Sequence, residues 1–68
     1  MARISGVDIP DHKRVEIGLT YIFGIGRSSS NYILNKAGIE LNTKIGDLDD
    51  EQQKAIRNII SEEFKIEG

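Results

Sequence analysis

LTYIFGIGRSSSNYIL, residues 19–34, sets a Gly-Ile-Gly turn between two segments that both read as helices. Gly24 and Gly26 permit backbone conformations with φ > 0 and the close approach of another molecule. A helix starting just after them directs free N–H groups and a positive dipole end outward. A phosphate oxygen is the natural ligand of such a turn.

A helix, then Gly-hydrophobic-Gly, then a polar helix start is the helix-hairpin-helix pattern, in which the turn amides hold one phosphate. Ile25 then points inward to anchor the hairpin. Arg27 adds a mobile positive charge at the same place, and Ser28 or Ser29 can donate to a phosphate oxygen when not capping the helix. A plain helix–helix corner that uses glycine only for its geometry would give the same string. The dinucleotide fingerprint is excluded, because it needs a third glycine and a preceding strand.

Upstream, Arg3 to Ile9 alternates loosely and is interrupted by Gly6, which predicts a short irregular strand stopped by Pro10. Asp11 is placed to cap a first helix. Val15, Leu19, Ile22 and Phe23 fall at i, i+4, i+7 and i+8, one apolar stripe ending at Gly24. Thr20, Tyr21 and Lys13 lie off that stripe. Tyr21 could stack on a base or ribose, and Thr20 and Lys13 could reach phosphates.

Downstream, the second helix is expected from Ser28 or Ser29, capped by a hydroxyl, through Ile33 and Ala37 to Gly38, which suits the left-handed position after a helix. Lys36 stands in its last turn, where it could meet a phosphate or the helix dipole. Ile39 to Leu48 reads as a connector with Ile39, Leu41, Ile45 and Leu48 turned into the core. Asp49 and Gln52 form a capping-box pair, with Asp50 and Glu51 in the first turn of a third helix whose buried face is Ala55, Ile56, Ile59 and Ile60. That helix is expected to end near Glu63, and Phe64 to Glu67 alternates like a strand that could pair with the N-terminal one.

Composition narrows the function classes. The chain has 68 residues and no cysteine, enough for one small domain without disulfide or thiolate-metal support, and its start carries no signal-like apolar run. The expectation is a soluble, unexported, single-domain protein of the cytoplasm. The formal net charge of −2 hides an asymmetry. Residues 1–36 hold Arg3, Lys13, Arg14, Arg27 and Lys36 against Asp8, Asp11 and Glu16, whereas residues 37–68 are strongly acidic. Such a split can serve two different partners. His12 is the only histidine and has no cysteine or serine elbow beside it. The carboxylate groups Asp49-Asp50-Glu51 and Glu62-Glu63 sit at a helix start and a helix end without a second cluster to complete a metal cage. The reading is non-enzymatic, with no cofactor and no metal.

RISGVDIP, KRVEIGLTYIFGIGRSSSNYILNKAGI, a T-K-x-x-D-L connector and a helix ending in EEFKIEG together closely resemble the bacterial-type ribosomal protein S-thirteen family, from Ala2 to Gly68 without an obvious gap. The resemblance implies a mainly helical domain of three helices, a helix-two-turns-helix element with the Gly-Ile-Gly turn, and short terminal strands. It implies a place in the head of the small ribosomal subunit, in a cytoplasmic or bacterial-type organelle ribosome, bound to small-subunit rRNA. The implied neighbours are the small-subunit protein S-nineteen and, across an intersubunit bridge, the large-subunit protein L-five.

The family's rRNA-contacting turn maps onto Gly24, Ile25, Gly26 and Arg27. With the flanking residues, the candidate rRNA-binding set is Arg3, Lys13, Arg14, Thr20, Tyr21, Gly24, Ile25, Gly26, Arg27, Ser28, Ser29 and Lys36. The acidic residues Asp50, Glu51 and Glu62 are the candidate protein-facing surface. Family members continue past Glu67 and Gly68 into a basic half that approaches tRNA, and that half is absent from this sequence. Ser30, Glu16 and Gly18 are smaller departures from the family pattern. A DNA-binding helix-hairpin-helix module of a repair protein, and a truncated protein-interaction domain, are the competing expectations.

Overall fold

The computed structural model describes residues 2–65. The chain opens with a hairpin of strands β1 (Ala2–Ile4) and β2 (Val7–Ile9), paired antiparallel with Arg3 opposite Asp8. Ser5 (φ 50°) and Gly6 (φ 79°) make its two-residue turn, with both central residues left-handed as the twist of a tight hairpin requires. The expected single irregular strand is therefore two strands folded on each other. Ile4 and Ile9 enter the core while Arg3 and Asp8 face out and pair at 3.2 Å.

Helix α1 (Val15–Gly18) is followed at once by a 3₁₀ turn over Leu19–Tyr21. Its N-cap is Arg14, without a side-chain cap, and not Asp11. The reason is a long-range one. The first-turn amides of Val15 and Glu16 donate to the carbonyls of Thr43 (2.6 Å) and Leu41 (3.3 Å). Ile45 and Gly46 in turn donate to the carbonyls of Lys13 and Asp11. Backbone from the distant connector thus satisfies the donors that a capping side chain would otherwise serve.

Ile22 is extended (ψ 127°) and ends the helical path before the expected stop at Gly24. Helix α2 (Arg27–Ala37) has Gly26 as its N-cap and no side-chain cap, so the predicted hydroxyl cap at Ser28 or Ser29 does not form. It closes as expected at Gly38 (φ 73°), with the Ile39 N–H returning to the Leu34 carbonyl at 2.9 Å, a Schellman closure that delivers Ile39 to the core. A 3₁₀ turn (Ile45–Asp47) interrupts the connector, and Ile45 and Leu48 are buried with Leu41 partly so.

Helix α3 (Asp50–Ile59) starts on the full capping box: Asp49 Oδ1 accepts from the Gln52 N–H at 2.7 Å and Gln52 Oε1 accepts from the Asp49 N–H at 3.0 Å. Ile56, Ile59 and Ile60 are buried beneath it. The helix continues as a π-helix over Ile60–Phe64 and ends at left-handed Lys65 (φ 54°). Phe64 is therefore helical and not the start of a strand; Ile66 and Glu67 lie outside the described residues. One apolar core joins the hairpin (Ile4, Ile9), α1 (Val15), the 3₁₀ turn after it (Leu19), the β-turn residues Ile22 and Ile25, α2 (Ile33, Leu34), the connector and α3. These parts together fix the direction in which the Gly24–Gly26 turn faces.

Candidate nucleic-acid interface

Ile22, Phe23, Gly24 and Ile25 form a β-turn closed by the Ile25 N–H to the Ile22 carbonyl at 3.0 Å. Gly24 has φ 91° at its third position, the conformation of a type II turn and one that calls for glycine. Ile22 and Ile25 are buried on either side, so the turn is anchored twice, and Ile25 points inward as the pattern predicts. Gly26 is different in kind. Its φ of −94° is open to any residue, and a Cβ there would meet nothing within 4 Å. Neither backbone conformation nor packing requires glycine at position 26.

The first ladder bond of α2 runs from the Ser30 N–H to the Gly26 carbonyl (2.9 Å), so the amides of Arg27, Ser28 and Ser29 precede the helical ladder. No acidic residue stands in that first turn. Arg27 Nη2 lies 3.7 Å from Glu16 Oε2, and Glu16 is buried. The expected mobile charge is thus tethered to α1 beside the turn. Ser30 is fully buried and its Oγ donates to the Glu16 carbonyl at 2.7 Å, which locks α1 to α2 directly behind the turn.

The other candidates divide by position. Tyr21 is exposed at the end of the 3₁₀ turn, and Thr20 Oγ1 donates to the Ile17 carbonyl at 2.6 Å. Both precede the Gly24–Ser29 segment closely in the chain. Lys13 and Arg14 lie beside the connector, Arg14 reaching Asn42 Oδ1 at 3.4 Å. Arg3 is on the hairpin. Lys36 stands nine residues beyond Arg27 on α2, about 14 Å along the helix axis at 1.5 Å per residue.

Lys36 is moreover engaged, with Nζ 2.5 Å from Glu63 Oε2 and 5.9 Å from the centroid of the Tyr32 ring. The Glu63 carboxylate also accepts from the Tyr32 hydroxyl, and Tyr32 packs edge-on against Phe64 at 6.3 Å between centroids. The hydrogen bonds from Lys36 and Tyr32 lower the Glu63 pKa, and the bond and charge of Glu63 raise that of Lys36. Asp50 and Glu51 lie in the first turn of α3 and Glu62 near its far end, roughly 17 Å away along the axis, so the acidic candidates do not converge.

The apolar spacing puts Phe23 on the buried stripe, whereas in the structure this residue is 95% exposed. The periodicity fails there because the path leaves the helix at Ile22. A Phe-Gly pair read as the corner of a type II turn would have found it. Among the described residues no group of three or more His, Cys, Asp or Glu side chains is placed to hold a metal ion. Likewise, among those residues, no helix is long and apolar enough to cross a membrane.

The family described as ribosomal protein S13/S18 matches residues 3–68. The small ribosomal subunit protein uS13 of Desulfosudis oleivorans is 59% identical over 68 residues, which is 100% of this chain and 54% of that protein. The uS13 protein of Amoebophilus asiaticus is 57% identical over the same length. The uS13c protein of Guillardia theta is 56% identical over 68 residues, 56% of its own length. The chain spans about half the length of the curated relatives it matches.

Proposed function

The chain belongs to the ribosomal protein S13/S18 family, and from that premise we propose that it is a structural, non-catalytic constituent of the small-subunit head that grips small-subunit rRNA through the Gly24–Ser29 turn. The observation that carries this reading is Gly26. Its position is free of packing and of left-handed strain, yet it precedes uncapped amides of α2 and adjoins Arg27. Glycine there leaves an approach route along which a phosphate can reach those amides.

The amides of Arg27, Ser28 and Ser29 bind one phosphate group, Arg27 adds charge from its tethered position, and the hydroxyls of Ser28 and Ser29 supply further donors. Lys13, Arg14 and Arg3 offer separate phosphate contacts on other parts of the molecule. Lys36, paired with Glu63 and about 14 Å along α2 from Arg27, stands apart from the turn. S-nineteen and L-five remain the partner proteins that the family resemblance suggests, with Asp50, Glu51 and Glu62 as separate points of contact. Any tRNA contact belongs to the basic half found in longer family members. The relatives give no support to a detached DNA-repair module.

Arg27→Glu combined with Gly26→Val is expected to reduce incorporation of the chain into small subunits, measured by co-sedimentation with the assembled particle. Incorporation at the wild-type level would refute the turn as an anchor.

A further inference from the structure

Three exposed large apolar side chains stand out among the described residues: Phe23 at 95%, Tyr32 at 46% and Tyr21 at 44% exposure. Tyr32 has partners in Glu63, Lys36 and Phe64. Phe23 has no place in the core cluster, nor among the half-buried residues packed against it. It occupies the second position of a type II turn whose first and fourth residues, Ile22 and Ile25, are both buried. The ring is therefore held out on a stiff support, with only its own two side-chain torsions free.

We propose that Phe23 is the stacking surface for an unpaired RNA base at the Gly24–Ser29 turn, an inference that rests on the rRNA reading above. The surroundings select the occupant. An apolar pocket on a protein partner would bury a continuous apolar patch, but past Phe23 the chain presents two glycines, Arg27 and Ser28, all exposed. A nucleotide matches both halves of this arrangement. Its base offers a π-face to an aromatic ring, and the adjoining phosphate suits the amides and Arg27. Stacking is tolerant of base identity, so the contact adds affinity without demanding one sequence.

The test uses the chain and a transcribed head segment of small-subunit rRNA, titrated at one salt concentration beside an unrelated RNA of equal length. Phe23→Ala is expected to weaken binding to the head segment roughly 5- to 150-fold, the effect of losing one base–aromatic stack. Phe23→Leu should fall with it, because leucine keeps apolar bulk and loses the π-face. Phe23→Trp should retain affinity. Since the sequence contains no tryptophan, its emission is a clean reporter and should be quenched when the RNA binds.

Thermal melting of Phe23→Ala should match the wild type, because the ring contributes nothing to the core. If both Phe23→Ala and Phe23→Leu bind as the wild type does while Arg27→Glu binds weakly, the stacking role is wrong and the turn reading survives. If Phe23→Leu holds affinity and only Phe23→Ala loses it, an apolar socket replaces the base, and the proposal falls. Failure of the wild type to prefer the head segment overturns the rRNA reading and the stacking role together.

Discussion

The Ser30 hydroxyl donates to the Glu16 backbone carbonyl at 2.7 Å from a fully buried position, joining the two arms of the hairpin behind the Gly24–Gly26 turn. Ser30→Ala removes that bond, a loss of about 1 kcal/mol, and recovers a few tenths through alanine's better helix propensity. The hydrogen bond wins, because without the serine the Glu16 carbonyl loses its donor from α2 in a buried place. Urea denaturation should show a net destabilisation of roughly 0.5–1 kcal/mol; a more stable variant would mean that the bond contributes nothing net.

Gly18 is held small by its neighbours. A Cβ there would lie 2.8 Å from Ile45 Cδ1 and 3.0 Å from Ile9 Cγ2, and both isoleucines are fully buried. Gly18→Ala would gain about 1 kcal/mol of helix propensity, against an overpacking cost of about 1–3 kcal/mol. Net destabilisation is expected, since neither isoleucine has free space to move into. Ile45 Cγ1 would also lie 2.9 Å from that Cβ, so the double variant Gly18→Ala with Ile45→Ala, which removes both Ile45 atoms, should be less destabilised than the two single changes added together. Simple additivity in equilibrium unfolding would refute the clash.

The Lys36–Glu63 pair fastens the end of α3 to α2, and the pKa directions define where it acts. Glu63 is lowered by its bonds from Lys36 and Tyr32, so its contribution is present above the ordinary carboxylate value, roughly 4.3, and is lost as pH falls through the folded value. Lys36 is raised chiefly by its bond to Glu63, so its contribution is full below the ordinary lysine value, roughly 10.4, and is lost as pH rises through the folded value. Lys36→Met should therefore be less stable than the wild type near neutral pH. The difference should shrink toward zero in acid as Glu63 protonates. A deficit unchanged by acid would assign the effect to packing against Tyr32 instead.

Local signals in the sequence were enough for some parts of this fold and blind to others. The Asp49–Gln52 capping box, the left-handed Gly38 and the inward Ile25 are each set by a few neighbouring residues, so each could be read directly. Asp11 looked like a cap because sequence cannot show that Thr43 and Leu41 carbonyls arrive from the connector to take the α1 amides. Phe64 looked like a strand residue because its neighbours alternate, whereas the segment ending at Phe64 is held helical against Tyr32 and Lys36 of α2. The Lys36–Glu63 pair is hidden from the sequence for the same reason: its members are distant along the chain. At the candidate site, the turn was legible as a unit, while the exposure of Phe23 and the Arg27–Glu16 tether depended on where the helix ended.

Gly26 and Gly38 bracket α2, Gly26 at the end proposed to meet RNA and Gly38 at the end that closes onto the core through Ile39. Gly38 has φ 73°, so alanine there is forced into a left-handed conformation at a cost of about 1–2 kcal/mol, with no polar group of the turn nearby to be affected. Gly26 has φ −94° and open space where a Cβ would go. Alanine at position 26 is a poorer N-cap than glycine, but it also stiffens the unfolded chain by about 0.4–1 kcal/mol, so the two effects nearly offset. Gly38→Ala should thus lower the melting temperature and, in the folded population, bind the rRNA head segment as the wild type does. Gly26→Ala should melt close to the wild type and bind that RNA more weakly, because the added methyl stands in the path of the phosphate. Measuring melting and binding on both variants separates a glycine kept for the fold from one kept for a ligand; equal binding by the two would leave Gly26 with no functional role.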